Sequence, residues 1–205
     1  MRSGGPDARE ARMARSEEVR LVFRAKRGET EAFRELVDLH KDRLFGFVWR
    51  MLRDHHEAED VCQNTFVRAY ESLHSYSEAF AFSTWLYTIA YRVCLNTLRK
   101  KRPRAADLDL SALRTSDDDA LAVAESEEAR RLRRLVWSAV ERLSAPQKSA
   151  VLLFYREGKS CQEIGLVLGI PPVTVKSHLH RARARLKDLL AAELGDEWRA
   201  EYLAG

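Results

Sequence analysis

The sequence predicts an all-α protein: two small helical domains joined by an acidic flexible linker, the second a helix-turn-helix domain. Three observations point there. Apolar residues recur at three- and four-residue spacing through most of the 205-residue chain. Nine glycines and five prolines are too few for a loop-rich all-β architecture. Between Asp107 and Glu128, eight acidic residues stand against one basic residue, Arg114, in a chain whose net charge is +4. An acidic stretch therefore separates two basic ones, the arrangement expected of modules that meet polyanions.

The elements follow in order. Ser16 is expected to cap a short helix that stops at Gly28. Thr30 is expected to cap the next, with Phe33, Leu36, Val37, Leu44, Phe45, Val48 and Leu52 at helical spacing. Asp54 followed by Glu57 has the form of a capping box, and Ala58, Val61, Thr65, Ala69 and Leu73 continue as one stripe. Residues 75–83 break the period and read as a loop with three aromatics. Ser83 or Thr84 then caps a helix with Leu86, Ile89, Ala90, Val93 and Thr97 on one face, running into the basic Arg99–Arg102 and stopped by Pro103. A second group of helices begins near Asp119. Leu132, Leu135, Val136, Ala139, Val140 and Leu143 give it an apolar face, Gly158 and Gly169 punctuate it, and a last helix runs from Val173 to Leu190. The expected organisation is an N-terminal segment 1–29, a first domain 30–103, a linker 104–118, a second domain 119–190 and a tail 191–205.

Composition removes whole classes of function. Apolar residues at 45% support a core, so general disorder is excluded. No apolar run reaches the roughly 18 residues that a membrane span needs. The first 18 residues alternate basic and acidic and lack an apolar segment, so no secretory signal is expected. Cys62, Cys94 and Cys161 are odd in number and far apart, giving neither a zinc pattern nor a disulfide framework. A reduced, cytoplasmic protein is expected.

Residues 159–186 carry the strongest local signal: a short helix, a turn at Gly169 and a second helix. Ile164, Leu168, Val175 and Leu179 suit its small core. The second helix carries Lys176, Arg181, Arg183, Arg185 and Lys187 before its first acid, Asp188, which fits a phosphate-lined groove. Thr174, Lys176, Ser177, His178, His180 and Arg181 offer donors to base edges. On residues 54–66, Glu57, Asp60, Gln63 and Asn64 are expected on one outer face. His55, His56 and Glu57 are adjacent and point about 100° apart along a helix, so they cannot converge on one metal ion. Tyr76, Phe80, Phe82, Trp85, Tyr87 and Tyr91, followed by Arg92, Arg99, Lys100, Lys101 and Arg102, interleave aromatics with cations as single-stranded nucleic acid requires. Trp85, beside Leu86 and Ile89, is expected in the core instead.

These motifs together resemble the compact sigma-70-type transcription initiation factors of the extracytoplasmic function (ECF) group. Residues 57–66 are similar to that family's region 2.2, residues 82–90 and 96–99 to regions 2.3 and 2.4, and residues 143–147, 160–164 and 174–183 to region 4. The resemblance covers about 30–104 and 132–190, in order. It implies that Glu57, Asp60, Gln63 and Asn64 dock on the clamp helices of core RNA polymerase, whose flap is a further contact. It implies that Tyr76, Phe80, Phe82, Asn96, Arg99 and Lys100 open and hold the −10 element. Thr174, Lys176, Ser177, His178, His180 and Arg181 would read the −35 element in duplex DNA. It further implies an anti-sigma factor as partner, no cofactor, no metal and no catalytic residue. Val173 stands where the family usually has glycine, and His178 where it often has arginine, which removes a bidentate guanine contact. The alternative is a repressor or activator that binds duplex DNA alone through its helix-turn-helix. An enzyme is not expected, since no nucleophile–base pair or carboxylate cluster is visible.

Overall fold

The computed structural model describes residues 8–101 and 126–202. The expected linker and the start of the second domain at 119–125 lie outside the described residues. In the N-terminal half, α1 (Ala8–Lys26), α2 (Thr30–Leu52), α3 (His55–Glu71) and α4 (Phe82–Lys101) pack around one another. In the C-terminal half, α5 (Glu127–Glu141), α6 (Ala145–Val151), α7 (Cys161–Leu168) and α8 (Pro172–Tyr202) do the same. The described residues contain no strand.

Local chemistry sets the helix ends, and in places it departs from expectation. α1 starts before Ser16, which lies inside it. Its exit is made by Gly28, whose φ of +91° side chains rarely adopt. Glu29, not Thr30, occupies the cap position of α2 and makes no side-chain cap bond there; its carboxylate instead accepts from Arg24 Nε at 2.8 Å. α2 ends on Arg53, in the left-handed region at φ 57°, whose amide donates to the Trp49 carbonyl at 2.7 Å. Asp54 then caps α3 by accepting from the Glu57 amide at 3.0 Å, as the sequence implies. α4 begins at Phe82, so Ser83 and Thr84 fall inside the helix and cap nothing. α8 does not stop at Leu190: Leu189 and Ala191 are both buried and the helix continues to Tyr202.

The buried core runs through Ala32, Leu36, Leu44, Val48, Ala58, Leu86, Ala90 and Cys94 in the first half. In the second it holds Leu152, Leu153, Ile164, Val167, Val175, Leu179 and Ala182. Val167 takes the buried position expected of Leu168, which is only partly covered. Burial, reinforced by Glu59, pushes the Cys62 thiol up to about 12, and burial beside Cys62 pushes Cys94 up to about 12, so both stay protonated.

Two tight features generate stability predictions. A Cβ at Gly165 would sit 2.7 Å from the Ile170 carbonyl oxygen, on the inside of the α7–α8 turn. Gly165→Ala should cost about 1–3 kcal/mol of overpacking in urea denaturation, while Gln162→Ala on the exposed side of the same helix should stay within about 0.5 kcal/mol. Lys148 is buried, and that burial drives its amine down to about 8 despite the pull of Glu141, with Arg53 adding to the fall. Between pH 8 and 10 the unfolded chain binds more protons at this site than the folded one, so stability rises with pH there. Denaturation at pH 7.5 and 9.5 should show the wild type gaining stability relative to Lys148→Met, a difference in which the opposing titration of the raised Cys62 and Cys94 thiols cancels.

Candidate functional site

The basic face of α8 is built by its own period. Val173, Lys176, Ser177, His180 and Arg181 surround one open concavity of about 510 Å³, while Val175, Leu179 and Ala182 face inward. Ser177 Oγ donates to the Val173 carbonyl at 3.1 Å, and Arg181 Nε donates to the Ser177 carbonyl at 3.2 Å. The second bond lays the Arg181 side chain back along the exposed face of the helix. Thr174 and His178 occupy the flank, one turn apart and half-buried, and His178 Nδ1 is enclosed without a hydrogen-bond partner. His178 thus lies beside the concavity and does not line it. Arg183 also leaves that face. Its Nε donates to the Tyr155 hydroxyl at 2.7 Å and its guanidinium lies 5.7 Å from the Tyr155 ring.

On α3 the four residues expected on one outer face divide. Asp60, Gln63 and Asn64 are exposed, whereas Glu57 is half-buried beside the cap. Gln63 lies with Val37, Lys41, Phe45, Glu59 and Phe66 along a groove of about 310 Å³ between α2 and α3. Asp60 and Asn64 look to the other side. There they line a cleft of about 430 Å³ between α3 and α4 with Arg68, Asn96 and Lys100. Residues expected to serve two different partners thus share one cleft. Arg68 was not among the expected site residues, although its place one turn after Asn64 is a usable signal: its Nε donates to Asn64 Oδ1 at 2.5 Å.

The loop before α4 is anchored by its aromatics. Tyr76 and Phe82 are 5% and 1% exposed, so they are core residues and do not offer free faces for stacking. With Trp85 they form one cluster, the three ring pairs at 5.5–5.6 Å. Tyr76 donates its hydroxyl to the Phe80 carbonyl at 2.8 Å and accepts at its own carbonyl from Lys26 Nζ at 2.6 Å. Burial, with Glu18 and Glu78 nearby, pushes that phenol up to about 12, which keeps it a donor. Phe80, held at the top by this bond, is 40% exposed. Asn96, Arg99 and Lys100 are exposed along the last turns of α4.

At the start of α3, His55 Nδ1 and His56 Nδ1 lie 3.7 and 3.8 Å from the two oxygens of Glu59. The three side chains bring ligand atoms within 4.8 Å of one another, a juxtaposition with Glu59 and not with the adjacent Glu57. All three are exposed, and the spacing is that of surface ion pairs formed when the imidazoles are protonated. Among the described residues no helix is long and apolar enough to cross a membrane.

Comparison with known proteins adds family identity. The family model described as Sigma-70 region 2 matches residues 36–104, and that described as Sigma-70, region 4 matches residues 133–186. The chain is 32% identical to the ECF RNA polymerase sigma factor SigW of Bacillus subtilis, over 82% of this chain and 94% of that one. It is 32% identical to the RNA polymerase sigma-H factor of Pseudomonas aeruginosa, over 87% of this chain and 96% of that one. Among solved structures it resembles CnrH in complex with the cytosolic domain of CnrY, with a TM-score of 0.62, 27% identity, and coverage of 86% and 98%.

The loop geometry makes its own prediction. Tyr76→Phe removes the donor to the Phe80 carbonyl and should cost about 1 kcal/mol, with faster amide exchange at residues 77–81. Phe80→Ala should leave global stability within about 0.5 kcal/mol, since no core contact is lost. Denaturation and hydrogen-exchange mass spectrometry on both variants check the pair.

Proposed function

Because this chain belongs to the ECF group of the sigma-70 family of transcription initiation factors, we propose that its exposed surfaces divide promoter recognition among three places. The α2–α3 groove with Gln63, and the neighbouring Asp60, meet the clamp helices of core RNA polymerase. Phe80 stacks on an unpaired base of the −10 element, held out by Tyr76 and Phe82 from beneath. Asn96, Arg99 and Lys100 follow the backbone of the same element, with Asn64 and Arg68 across the cleft. Lys176, Ser177, His180 and Arg181 read the −35 element, and Thr174 and His178 support that helix from its flank. The chemistry of RNA synthesis belongs to the polymerase, so this chain acts by binding and not as an enzyme, in the cytoplasm where polymerase and promoters are. An anti-sigma partner belongs to this reading, since the structural relative CnrH was solved with the cytosolic domain of CnrY.

The observation that carries the proposal is the separation of chemistries. One helix face gathers Lys176, His180 and Arg181, while an exposed aromatic sits on a pre-built loop in the other half. A duplex reader acting alone has use for the first and none for the second, which disfavours a stand-alone repressor or activator.

Three measurements test it. Asp60→Ala with Gln63→Ala should keep the fold, each exposed change lying within about 0.5 kcal/mol, and should weaken capture of core polymerase; full affinity in the folded double variant would sink that assignment. Arg181→Ala should weaken duplex −35 binding. If Arg181 meets a phosphate, the salt slope falls by about 0.9; if it meets a base, specificity relaxes at one position by about 1–3 kcal/mol. Phe80→Ala should leave duplex binding alone and slow permanganate-detected melting of the promoter.

A further inference from the structure

Of the five residues around the α8 concavity, Val173 alone is apolar. It is 70% exposed, more than any other large hydrophobic side chain among the described residues. An exposed valine is ordinary on a protein surface; the place and the rigidity of this one set it apart. Residues 173, 176, 177, 180 and 181 follow the helical repeat, so Val173 leads the same row that carries Lys176 and Arg181. It is the second residue of α8, after Pro172, whose ring fixes its own φ.

The backbone on both sides of Val173 is tied down. The Pro171 carbonyl accepts from the amides of Thr174 at 2.9 Å and Val175 at 3.2 Å, and the Val173 carbonyl accepts from Ser177 Oγ at 3.1 Å. The turn before the helix is seated on α7, where the Ile170 amide donates to the Gly165 carbonyl at 2.9 Å. Within a helix a valine keeps one dominant χ1 rotamer. Its two methyl groups therefore point where the fold directs them, and little side-chain freedom is left to lose on contact.

We propose that Val173 is a specificity-determining residue, which reads the C5 methyl group of a thymine at one position of the −35 element by apolar contact. The proposal rests on the function proposed above and adds to it a base that this chain selects and the atom by which it does so. A valine offers nothing to a phosphate or to a hydrogen-bonding base edge. In the major groove thymine alone among the four bases presents an apolar group, its methyl. A recognition helix sets its N-terminal residues against base edges, which is where Val173 stands. Adenine or cytosine there would turn an amino group, and guanine a carbonyl oxygen, toward methyl groups that shut out its water. Lys176 and Arg181 draw α8 to any duplex through charge. The valine adds a contact that only thymine completes.

The test uses the full chain with core polymerase. Selection from a random pool of promoter duplexes defines the −35 element that the complex prefers. Each thymine of that element, on either strand, is then replaced in turn by deoxyuridine, which removes the methyl and keeps every hydrogen-bonding atom. Wild type should lose about three- to fivefold in affinity at one position, the effect of uncovering one methyl group. Val173→Ala should bind the thymine and deoxyuridine duplexes equally there and keep the wild-type response at the other base pairs. Any change in duplex shape caused by the lost methyl acts on both proteins and cancels in that comparison. With cytosine at the same position, 5-methylation should strengthen binding by wild type and leave Val173→Ala unmoved. Val173→Ile, which keeps the apolar contact, should keep the methyl preference. The side chain is exposed, so both variants should fold normally, which circular dichroism monitors. A selected element with no methyl-sensitive position overturns the proposal, and so does a methyl effect that survives Val173→Ala. Weaker capture of core polymerase by Val173→Ala without DNA also overturns it, because the valine then meets protein. If an element is selected and Arg181→Ala weakens its binding while no thymine depends on Val173, this inference alone fails. If the complex selects no element, the functional reading fails with it.

Discussion

Glu163 is a carboxylate with two obligations, and the arrangement of the molecule turns on its meeting both. One oxygen closes the first turn of α7, without which the helix would begin with unsatisfied amides. The other accepts from Thr84 on α4, a helix whose opposite side is packed on α2 and α3. A charged group this close to the interior is tolerable only when several donors surround it. Here Ser160, Thr84 and Lys159 supply them, so the cap of the helix-turn-helix and the contact between halves are one network. The requirement to satisfy that carboxylate ties local helix chemistry to long-range arrangement.

The same constraint governs the aromatics. A loop that presents a side chain to a partner must itself be held, because loose backbone loses entropy on binding. Tyr76 and Phe82 are sunk into a ring cluster at the two ends of the loop, and the Tyr76 hydroxyl fixes the Phe80 carbonyl. One aromatic is left outside as a consequence of two being inside. Cations are sorted in a similar way. Arg183 and Arg53 commit their charge to Tyr155, Trp49 and Glu141 within the fold. Lys176 and Arg181 stay on the exposed side of α8, Arg181 bonded there to the Ser177 carbonyl, and form the outward basic face.

Much of this arrangement is legible in the order of the residues. Periodicity locates the α-helices, though not the first turns of α1, and the Asp54 cap falls at a real helix start. The steep turn at Gly169 is legible as well, since a φ of +69° suits glycine. The groove face is legible in part: Lys176, Ser177, His180 and Arg181 share it, and His178 does not. The split of the α3 residues between two clefts is not, because it depends on where α2 and α4 lie against that helix.

The sequence by itself determined the all-α class, the apolar face of each helix, the basic second half and the family, because these follow from spacing along one chain. Tertiary structure alone decided what each exposed or half-exposed group meets. Ser83 and Thr84 look like helix caps in sequence and meet the other half in space, Ser83 accepting from Lys159 and Thr84 donating to Glu163. Tyr87 and Tyr91 look like stacking surface and become covered wall. The physical reason is that a helix repeat specifies which side of a segment leaves water, while the partner on that side sits 79 residues away for Thr84 and Glu163, and 76 for Ser83 and Lys159. Hydroxyls and aromatic rings serve water, nucleic acid or a neighbouring helix with the same atoms, and only the packed neighbour settles which of these a given residue serves.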